Sequence, residues 1–185
     1  MAIVYNTSST LNGFIADQNN SLQWLFDIPG SDSAEEDFGA FLNTVGALVM
    51  GSTTYEWMLR ELDLFNHPEA WTNVYGQRPT WVLSSRDLDV PAGLPITIIN
   101  GEIKDLLPVI LASLPENTDL WIVGGGDLAG QFFDAGVLDR IILTMAPVFL
   151  DEGQPAMPRR IESDRLRTVN VREVGQFTEI TLEVM

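Results

Sequence analysis

The sequence contains no cysteine, which excludes disulfide bonds, thiolate metal ligands and a cysteine nucleophile together. Lysine and arginine are scarce, at 10 residues against 26 acidic ones, and the formal net charge is −16. Nucleic acid is therefore not an expected partner, because its binding depends on clustered cations. An anionic ligand must be held locally, by backbone amides and a few side chains.

Long apolar runs and a basic N-terminal region are also missing. No apolar stretch approaches the roughly 20 residues of a membrane span, so no membrane association is expected. The first residues, MAIVYNTSS, are typical of a strand and not of a signal peptide. The single histidine, His67, stands before Pro68 in a polar stretch, and no metal site is predicted. We expect a cytoplasmic protein.

The residues that are present indicate a folded α/β protein. Of 185 residues, 45% are apolar and 19% charged, a balance typical of a globular protein with a substantial core. Apolar runs predict strands, and apolar residues at helical spacing predict helices. The predicted strands cover residues 3–5, 47–50, 80–83, 96–99, 121–123, 140–149, 166–174 and 177–184. The predicted helices cover residues 53–62, 103–114 and 127–135, after a first helix capped by Ser33.

Strands alternate with helices until Asp139, and the last two strands flank a predicted hairpin turn at residues 175–176. This order predicts a single domain over residues 1–185, with a mostly parallel sheet and antiparallel C-terminal strands. Pro108 is expected to force a late start or a kink in its helix. From Asn6 to Gly30 the chain is polar, and we expect a long loop folded over a site.

A run of three glycines follows the predicted strand 121–123. Gly124, Gly125 and Gly126 stand between this strand and a helix that begins near Leu128. Glycines let a phosphate approach the backbone, and the free N–H groups of a first helical turn point at such an anion. The run matches neither the dinucleotide fingerprint nor a P-loop. Two interpretations stand, a phosphate site and a tight turn that packs helix on strand.

Two further polar turns follow predicted strands. The segment MGSTTYE has Gly51 for close approach of a ligand and Ser52 or Thr53 as a helix cap. The segment LSSR ends the strand 80–83. Open parallel sheets bind ligands at the carboxyl ends of their strands, so we expect all three turns along one rim. Together they predict an extended, phosphate-bearing ligand such as a dinucleotide.

These motifs resemble a known superfamily. The order and spacing of GSTTYE, LSSR and VGGGDL are similar to the cofactor-binding elements of the dihydrofolate reductase fold. The segments SSTLNGFIAD and GVLDRIILTMAPVFLDEG are more similar to the reductase domain of the bifunctional riboflavin-biosynthesis deaminase/reductase and its stand-alone relatives. The resemblance covers essentially the whole chain and implies a three-layer α/β/α fold.

The resemblance also implies a nicotinamide cofactor and the residues that contact it. These are Ile15 and Ala16 near the nicotinamide, Gly51, Ser52, Thr53 and Thr54 at the diphosphate, Ser84, Ser85 and Arg86 around the adenosine ribose and its 2′-phosphate, and Gly124, Gly125, Gly126, Asp127 and Leu128 as a second diphosphate clamp. The family often has arginine where this chain has Ser52, so Arg86 must hold the 2′-phosphate alone. NADPH is still expected over NADH.

No single residue is indicated as the proton donor for hydride transfer. A carboxyl group with a raised pKa or an ordered water can serve. Asp17 and Asp27 are the candidate acids on the long first loop, and both also fit as solvated loop carboxylates. Asn12, where the riboflavin reductase usually has aspartate, and Trp24 are the candidate substrate contacts.

The resemblance implies an NADPH-dependent reductase that acts on a small pyrimidine-like or pteridine-like heterocycle, similar to 5-amino-6-(5-phosphoribosylamino)uracil reductase. Two alternatives stay open, a true dihydrofolate reductase and a nucleotide-binding module without catalysis. The resemblance further implies a homodimer. The apolar C-terminal strands predict where its interface lies, because an unpaired sheet edge tends to be covered.

Overall fold

The computed structural model describes residues 1–29 and 32–185, and of residues 32–36 it describes the backbone alone. An eight-stranded sheet with helices on both faces confirms the predicted three-layer α/β fold. The predicted cap Ser33 falls among the side chains outside this description, within a helix that begins at Asp32. In the described ranges, no helix is long and apolar enough to cross a membrane.

The strands are β1 (Ile3–Thr10), β2 (Phe14–Asp17), β3 (Val45–Gly51), β4 (Thr80–Leu83), β5 (Ile96–Ile99), β6 (Asp119–Gly124), β7 (Arg140–Ala146), β8 (Gly153–Pro155), β9 (Leu166–Val174) and β10 (Phe177–Val184). The helices are α1 (Gln23–Phe26), α2 (Asp32–Leu42), α3 (Ser52–Glu61), α4 (Glu69–Tyr75), α5 (Ile103–Ala112) and α6 (Gly126–Asp134), with a 3₁₀ turn at Ser163–Arg165. The main sheet has the order β5-β4-β3-β6-β1-β7-β10-β9, and β2 and β8 form a separate antiparallel ribbon. The first six strands in that order run parallel, β10 runs antiparallel to β7, and β9 pairs antiparallel with β10, so the predicted antiparallel C-terminal pairing is confirmed.

The central strands bury both of their faces. Leu120 and Ile122 of β6 belong to the core cluster that includes α5 and α6, whereas Trp121 belongs to the cluster on α2, α3 and α4. Parallel strands covered by helices on both sides are nearly continuous in apolar residues for this reason. Phe38 and Phe41 meet the Trp121 ring edge-on, with ring centroids 5.4 and 5.6 Å away. This packing fixes the strand that leads into the triple glycine.

The prediction of a long loop from Asn6 to Gly30 is wrong for more than half of these residues. Gly30 itself lies outside the described residues. Residues 6–10 continue β1, and β2 and α1 follow within the same stretch. The buried Thr10 hydroxyl accepts a hydrogen bond from the Phe14 amide at 3.0 Å and donates one to Asn12 Oδ1 at 2.8 Å. A polar strand whose hydroxyls find internal partners is missed by a search for apolar runs.

Smaller departures concern prolines and short elements. α5 begins at Ile103 and continues through Pro108, so the predicted late start is wrong. β7 ends directly before Pro147 and does not continue to residue 149. The elements α4 and β8, of seven and three residues, have no counterpart in the prediction. Both are too short for a clear period, and they are stabilised by segments distant in sequence.

Candidate functional site

The three polar turns meet at one edge of the sheet. They follow β4, β3 and β6, which are parallel neighbours in that order. The carboxyl ends of these strands therefore lie side by side, and the predicted rim is confirmed. Because α3 begins directly after β3 and α6 soon after β6, two helix N-termini lie at this edge.

A cavity of about 490 Å³ opens at the rim, within the size range of small-molecule sites. Its walls include the predicted residues Ile15, Ala16, Gly51, Ser52, Thr53, Thr54, Gly124, Gly125, Gly126, Asp127 and Leu128. They also include residues that were not predicted, namely Thr7, Asn20, Leu22, Trp57, Leu83, Val123, Gln131, Gln154 and Pro155. The structure thus brings the turns after β3 and β6 together with β2 around one space.

Some of the missed wall residues had a signal in the sequence and others had none. Thr7 lies in the polar half of β1, and extending that strand would have carried it to the same rim. Gln154 and Pro155 belong to β8, whose three residues pair with β2. Such a short element carries no periodicity, so only the tertiary structure reveals it.

The first turn of α3 supplies backbone donors to the cavity. Gly51 is the N-cap residue and no side chain that the structure describes caps the helix, so the predicted cap at Ser52 or Thr53 is wrong. The first N–H groups of a helix have no carbonyl one turn earlier to bind. Here those groups belong to Ser52, Thr53 and Thr54, all at the cavity wall.

Each position of the triple-glycine run differs in why the structure has glycine there. Gly124 has a φ of +153°, a value that side chains rarely adopt, and the peptide bond after it is cis. A Cβ at Gly125 would have Ile15 Cδ1 as its nearest neighbour, 4.0 Å away on the cavity wall. A Cβ at Gly126 would collide with the carbonyl oxygens of Pro155 and Ala156. Gly125 therefore leaves space for a ligand, whereas Gly126 permits close packing.

The third turn lies beside the cavity but outside its walls. Leu83 lines the cavity, whereas Ser84, Ser85 and Arg86 do not. The Arg86 guanidinium donates two hydrogen bonds to the Glu56 carboxylate, at 2.8 and 2.9 Å, and this contact lowers the pKa of Glu56. The cation predicted for a 2′-phosphate is thus engaged by a carboxylate of α3.

The ribbon of β2 and β8 forms another wall. It pairs Ala16 with Gln154, and both residues line the cavity. The segment after β8 is fixed to the core, because the buried Tyr5 hydroxyl donates to the Ala156 carbonyl at 2.9 Å. The Ala156 amide in turn donates to the Gly13 carbonyl at 2.8 Å. These bonds hold the ribbon beside the first turn of α6.

Neither candidate acid is among the cavity walls. The Asp17 carboxylate accepts hydrogen bonds from the amides of Asn19 and Ser21, both at 2.8 Å, and lines a separate acidic depression. Asp27 Oδ1 accepts from Gln23 Nε2 at 2.7 Å at the exposed end of α1. Both carboxylates therefore have local partners in the first segment of the chain.

The candidate substrate contacts Asn12 and Trp24 also lie outside the walls. Asn12 Nδ2 donates to the Leu150 carbonyl at 2.7 Å and ties the turn after β1 to the segment after β7. Trp24 packs against a small cluster with Ile28 and Phe177. Its indole N–H is buried and finds no partner among the described residues.

Comparison with known proteins points to one family. The sequence model of the RibD C-terminal domain matches residues 1–179. YwjB, an uncharacterized protein of Bacillus subtilis strain 168, is 25% identical over 171 residues, which cover 92% of this chain and 91% of that protein. The riboflavin biosynthesis protein RibD of Mycobacterium tuberculosis is 25% identical over 155 residues, which cover 80% of this chain and 42% of RibD.

Solved structures share the fold over the full chain. A protein from Shewanella sp. PV-4, provisionally named for riboflavin biosynthesis, has a TM-score of 0.78 at 25% identity, and the match covers 99% of that protein. The Thermotoga maritima diaminohydroxyphosphoribosylaminopyrimidine deaminase/5-amino-6-(5-phosphoribosylamino)uracil reductase has a TM-score of 0.72 at 14% identity, and the match covers 56% of its chain. A pyrimidine reductase-like protein from Corynebacterium diphtheriae has a TM-score of 0.66 at 15% identity, with 92% of its chain covered.

Proposed function

Because the chain belongs to the RibD C-terminal domain family, we propose that it is a reductase that transfers hydride from NADPH to a small heterocycle. The observation that carries the proposal is the convergence of two helix N-termini, those of α3 and α6, on one cavity. Helix N-termini present free N–H groups to anions, and two of them suit the two phosphates of a dinucleotide. Backbone donors also suit a chain whose formal net charge is −16.

The cofactor would supply the hydride, and the protein would bind and orient the cofactor. In this proposal the amides of residues 52–54 and 126–128 hold the diphosphate, and Gly125 leaves room for its approach. Ile15 and Ala16 pack near the nicotinamide, where their apolar side chains exclude water.

NADPH is the proposed cofactor because Arg86 lies in the turn expected beside the adenosine ribose. A guanidinium grips a phosphate through two parallel charge-assisted bonds, which an unphosphorylated ribose does not use. Glu56 now occupies both of those donors. The ratio of the affinities for NADPH and NADH should therefore be smaller than it would be if Arg86 had no carboxylate partner.

Water is the proton donor that the proposal favours. Asp127 is the only ionisable side chain among the described cavity walls. Its pKa is lowered by the hydrogen bond from Gln131 and by Arg159, so it carries no proton near neutral pH. Asp17 and Asp27 would have to act from outside the walls.

The proposed substrate is a pyrimidine-like or pteridine-like ring. Thr7, Asn20 and Gln154 place hydroxyl and amide side chains at the cavity wall, and these groups can pair with ring nitrogens and carbonyls. Reduction requires that such a ring lie against the nicotinamide at reacting distance. Dihydrofolate reductase activity and nucleotide binding without catalysis are the alternatives.

Thermal unfolding with NADPH and with NADH tests the proposal. A cofactor present at 100 times its Kd stabilises the folded protein by about 2.7 kcal/mol. We expect NADPH to raise Tm more than NADH does. Consumption of NADPH with pyrimidine or dihydropteridine substrates then separates a reductase from a binding module. A protein that neither cofactor stabilises contradicts the proposal.

A further inference from the structure

A negative charge stands where the proposed diphosphate would bind. Asp127 lies in the first turn of α6, and it is the one ionisable group on the described cavity walls. A carboxylate at this position stabilises the helix through the helix dipole. The same carboxylate also weakens the binding of an anionic ligand to the first N–H groups of α6, because like charges close together repel.

Arg159 compensates this charge. Its Nη1 donates to Asp127 Oδ1 at 3.0 Å, and its Nε donates to Asp134 Oδ2 at 2.7 Å. Gln131 Nε2 donates to the other Asp127 oxygen at 2.9 Å. Gln131 lies one turn further along α6, and Asp134, which Arg159 also binds, is the last residue of that helix, so both contacts direct the Asp127 carboxylate along the helix. Within the described part of the chain, the first N–H groups of α6 have no side-chain cap.

Arg159 is held in this position by the packing of its whole side chain. A Cβ at Gly130 would collide with the Cζ, Nε and Cγ atoms of Arg159, so both the guanidinium and the stem lie directly on α6. The backbone that precedes Arg159 also packs closely on α6, because the carbonyl oxygens of Pro155 and Ala156 lie against Gly126. The arginine thus ends a segment that begins at β8 in the cavity wall. It connects that wall to the proposed phosphate-binding helix.

We propose that Arg159 is a positioning residue for cofactor binding. It neutralises Asp127 and holds that carboxylate away from the start of α6, so that the amides of residues 126–128 are free to donate hydrogen bonds to the diphosphate. The inference rests on the proposed function, since it assumes that a diphosphate binds there. No contact between Arg159 and the cofactor is required.

The test compares four variants with the unmodified protein. Arg159→Ala should weaken NADPH binding by about tenfold, because it leaves the Asp127 charge uncompensated. Arg160→Ala is the matched control, since it removes the same charge from the next residue, which is 91% exposed and pairs only with Glu162 in the described structure. It should change the Kd by less than about twofold. With a reductase substrate, Arg159→Ala should raise KM for NADPH and leave kcat unchanged.

Rescue distinguishes positioning from general stability. The double variant Arg159→Ala/Asp127→Asn should regain an affinity within about threefold of the unmodified protein, since the uncompensated charge is gone. Asp127→Asn alone should bind NADPH as tightly as the unmodified protein or more tightly. A double variant as weak as Arg159→Ala overturns the inference, as does a tenfold loss from Asp127→Asn alone.

Inorganic pyrophosphate separates the inference from the proposed function. If neither NADPH nor NADH binds but pyrophosphate does, with the same dependence on Arg159 and Asp127, the proposed function fails and the positioning role stands. If NADPH binds with equal affinity to Arg159→Ala and Arg160→Ala, the positioning role fails and the proposed function stands. If no probe binds, both are overturned.

Discussion

At the scale of single residues, Glu56 controls how much of the Arg86 charge a ligand can use. The two side chains are 34% and 55% exposed, so their pair is solvated and costs little to break. A 2′-phosphate that carries more charge than a carboxylate can therefore displace Glu56. The proposed cofactor preference becomes a competition between a ligand phosphate and a side chain of α3.

Changing Glu56 and Arg86 separately measures this competition. Glu56→Gln should increase the affinity for NADPH by about two- to fivefold and leave that for NADH unchanged, because Arg86 loses its charged partner. Arg86→Ala should remove most of the preference for NADPH. Titration of each variant with both cofactors checks the result, with Arg160→Ala as the control for overall charge. An unchanged NADPH/NADH ratio in both variants would show that the 2′-phosphate binds elsewhere.

The two candidate acids give a second prediction for single residues. If the protein is the proposed reductase, Asp17→Asn and Asp27→Asn should each keep kcat within about threefold of the unmodified protein, because neither side chain lines the cavity. Steady-state rates with saturating NADPH provide the measurement. A hundredfold fall in one variant would identify that aspartate as the proton donor instead of water.

The sequence indicated which charged residues lie near the candidate site, but not which residues they form ion pairs with. Arg86 stands out as a cation after a strand, but its partner Glu56 is 30 residues away on another element. Asp127 is likewise visible in the glycine motif, whereas Arg159 is 32 residues further along the chain. Pairings of this kind depend on how the elements pack, which no local pattern contains.

At the scale of elements, the triple glycine allows a matched pair of substitutions. Gly125→Ala should keep the fold and abolish cofactor binding, because its methyl group would occupy the cavity side of the turn. Gly126→Ala should destabilise the protein by about 1–3 kcal/mol, because its methyl group would meet two backbone carbonyls. Urea unfolding and NADPH titration of both variants separate the two effects. A folded Gly125→Ala variant with unchanged affinity would leave the run with a packing role alone.

Elements with a strong local pattern were predictable to the residue. The strands β4, β5, β9 and β10 have the bounds that their apolar runs and turn residues predict. The polar half of β1 was missed because its hydroxyls are satisfied internally, and β8 because three residues define no period. Both missed segments contribute cavity walls. The turns after β3 and β6 were therefore easier to predict from sequence than the cavity walls that β1 and β8 supply.

At the scale of the whole molecule, we propose a homodimer in which β9 pairs with β9 of a second copy. β9 forms one edge of the sheet, and within the described residues only β10 pairs with it. Val169 and Val171 are 45% and 57% exposed. Antiparallel pairing about Asn170 would place Val169 opposite the partner's Val171 and Arg167 opposite the partner's Glu173. Apolar residues and opposite charges would then meet across the two-fold axis.

Light scattering at low micromolar concentration tests the dimer. The unmodified protein should have about twice the 20.5 kDa mass of the chain, and Val171→Lys should return it to the single-chain mass. Val109→Lys is the matched control, because Val109 is also 57% exposed but lies on α5. A mass near 20.5 kDa for the unmodified protein rules the dimer out.

The place of β1 in the sheet has a consequence during protein synthesis. β1 lies between β6 and β7, and its pairing with them begins at Leu120 and Arg140. A ribosome that adds about 5–20 residues per second completes β6, the first of these two strands, roughly 6–23 s after β1. Until then the apolar side chains of Val4 and Tyr5 have no strand beside them. The nascent chain is therefore expected to expose its first strand to chaperones for most of its translation.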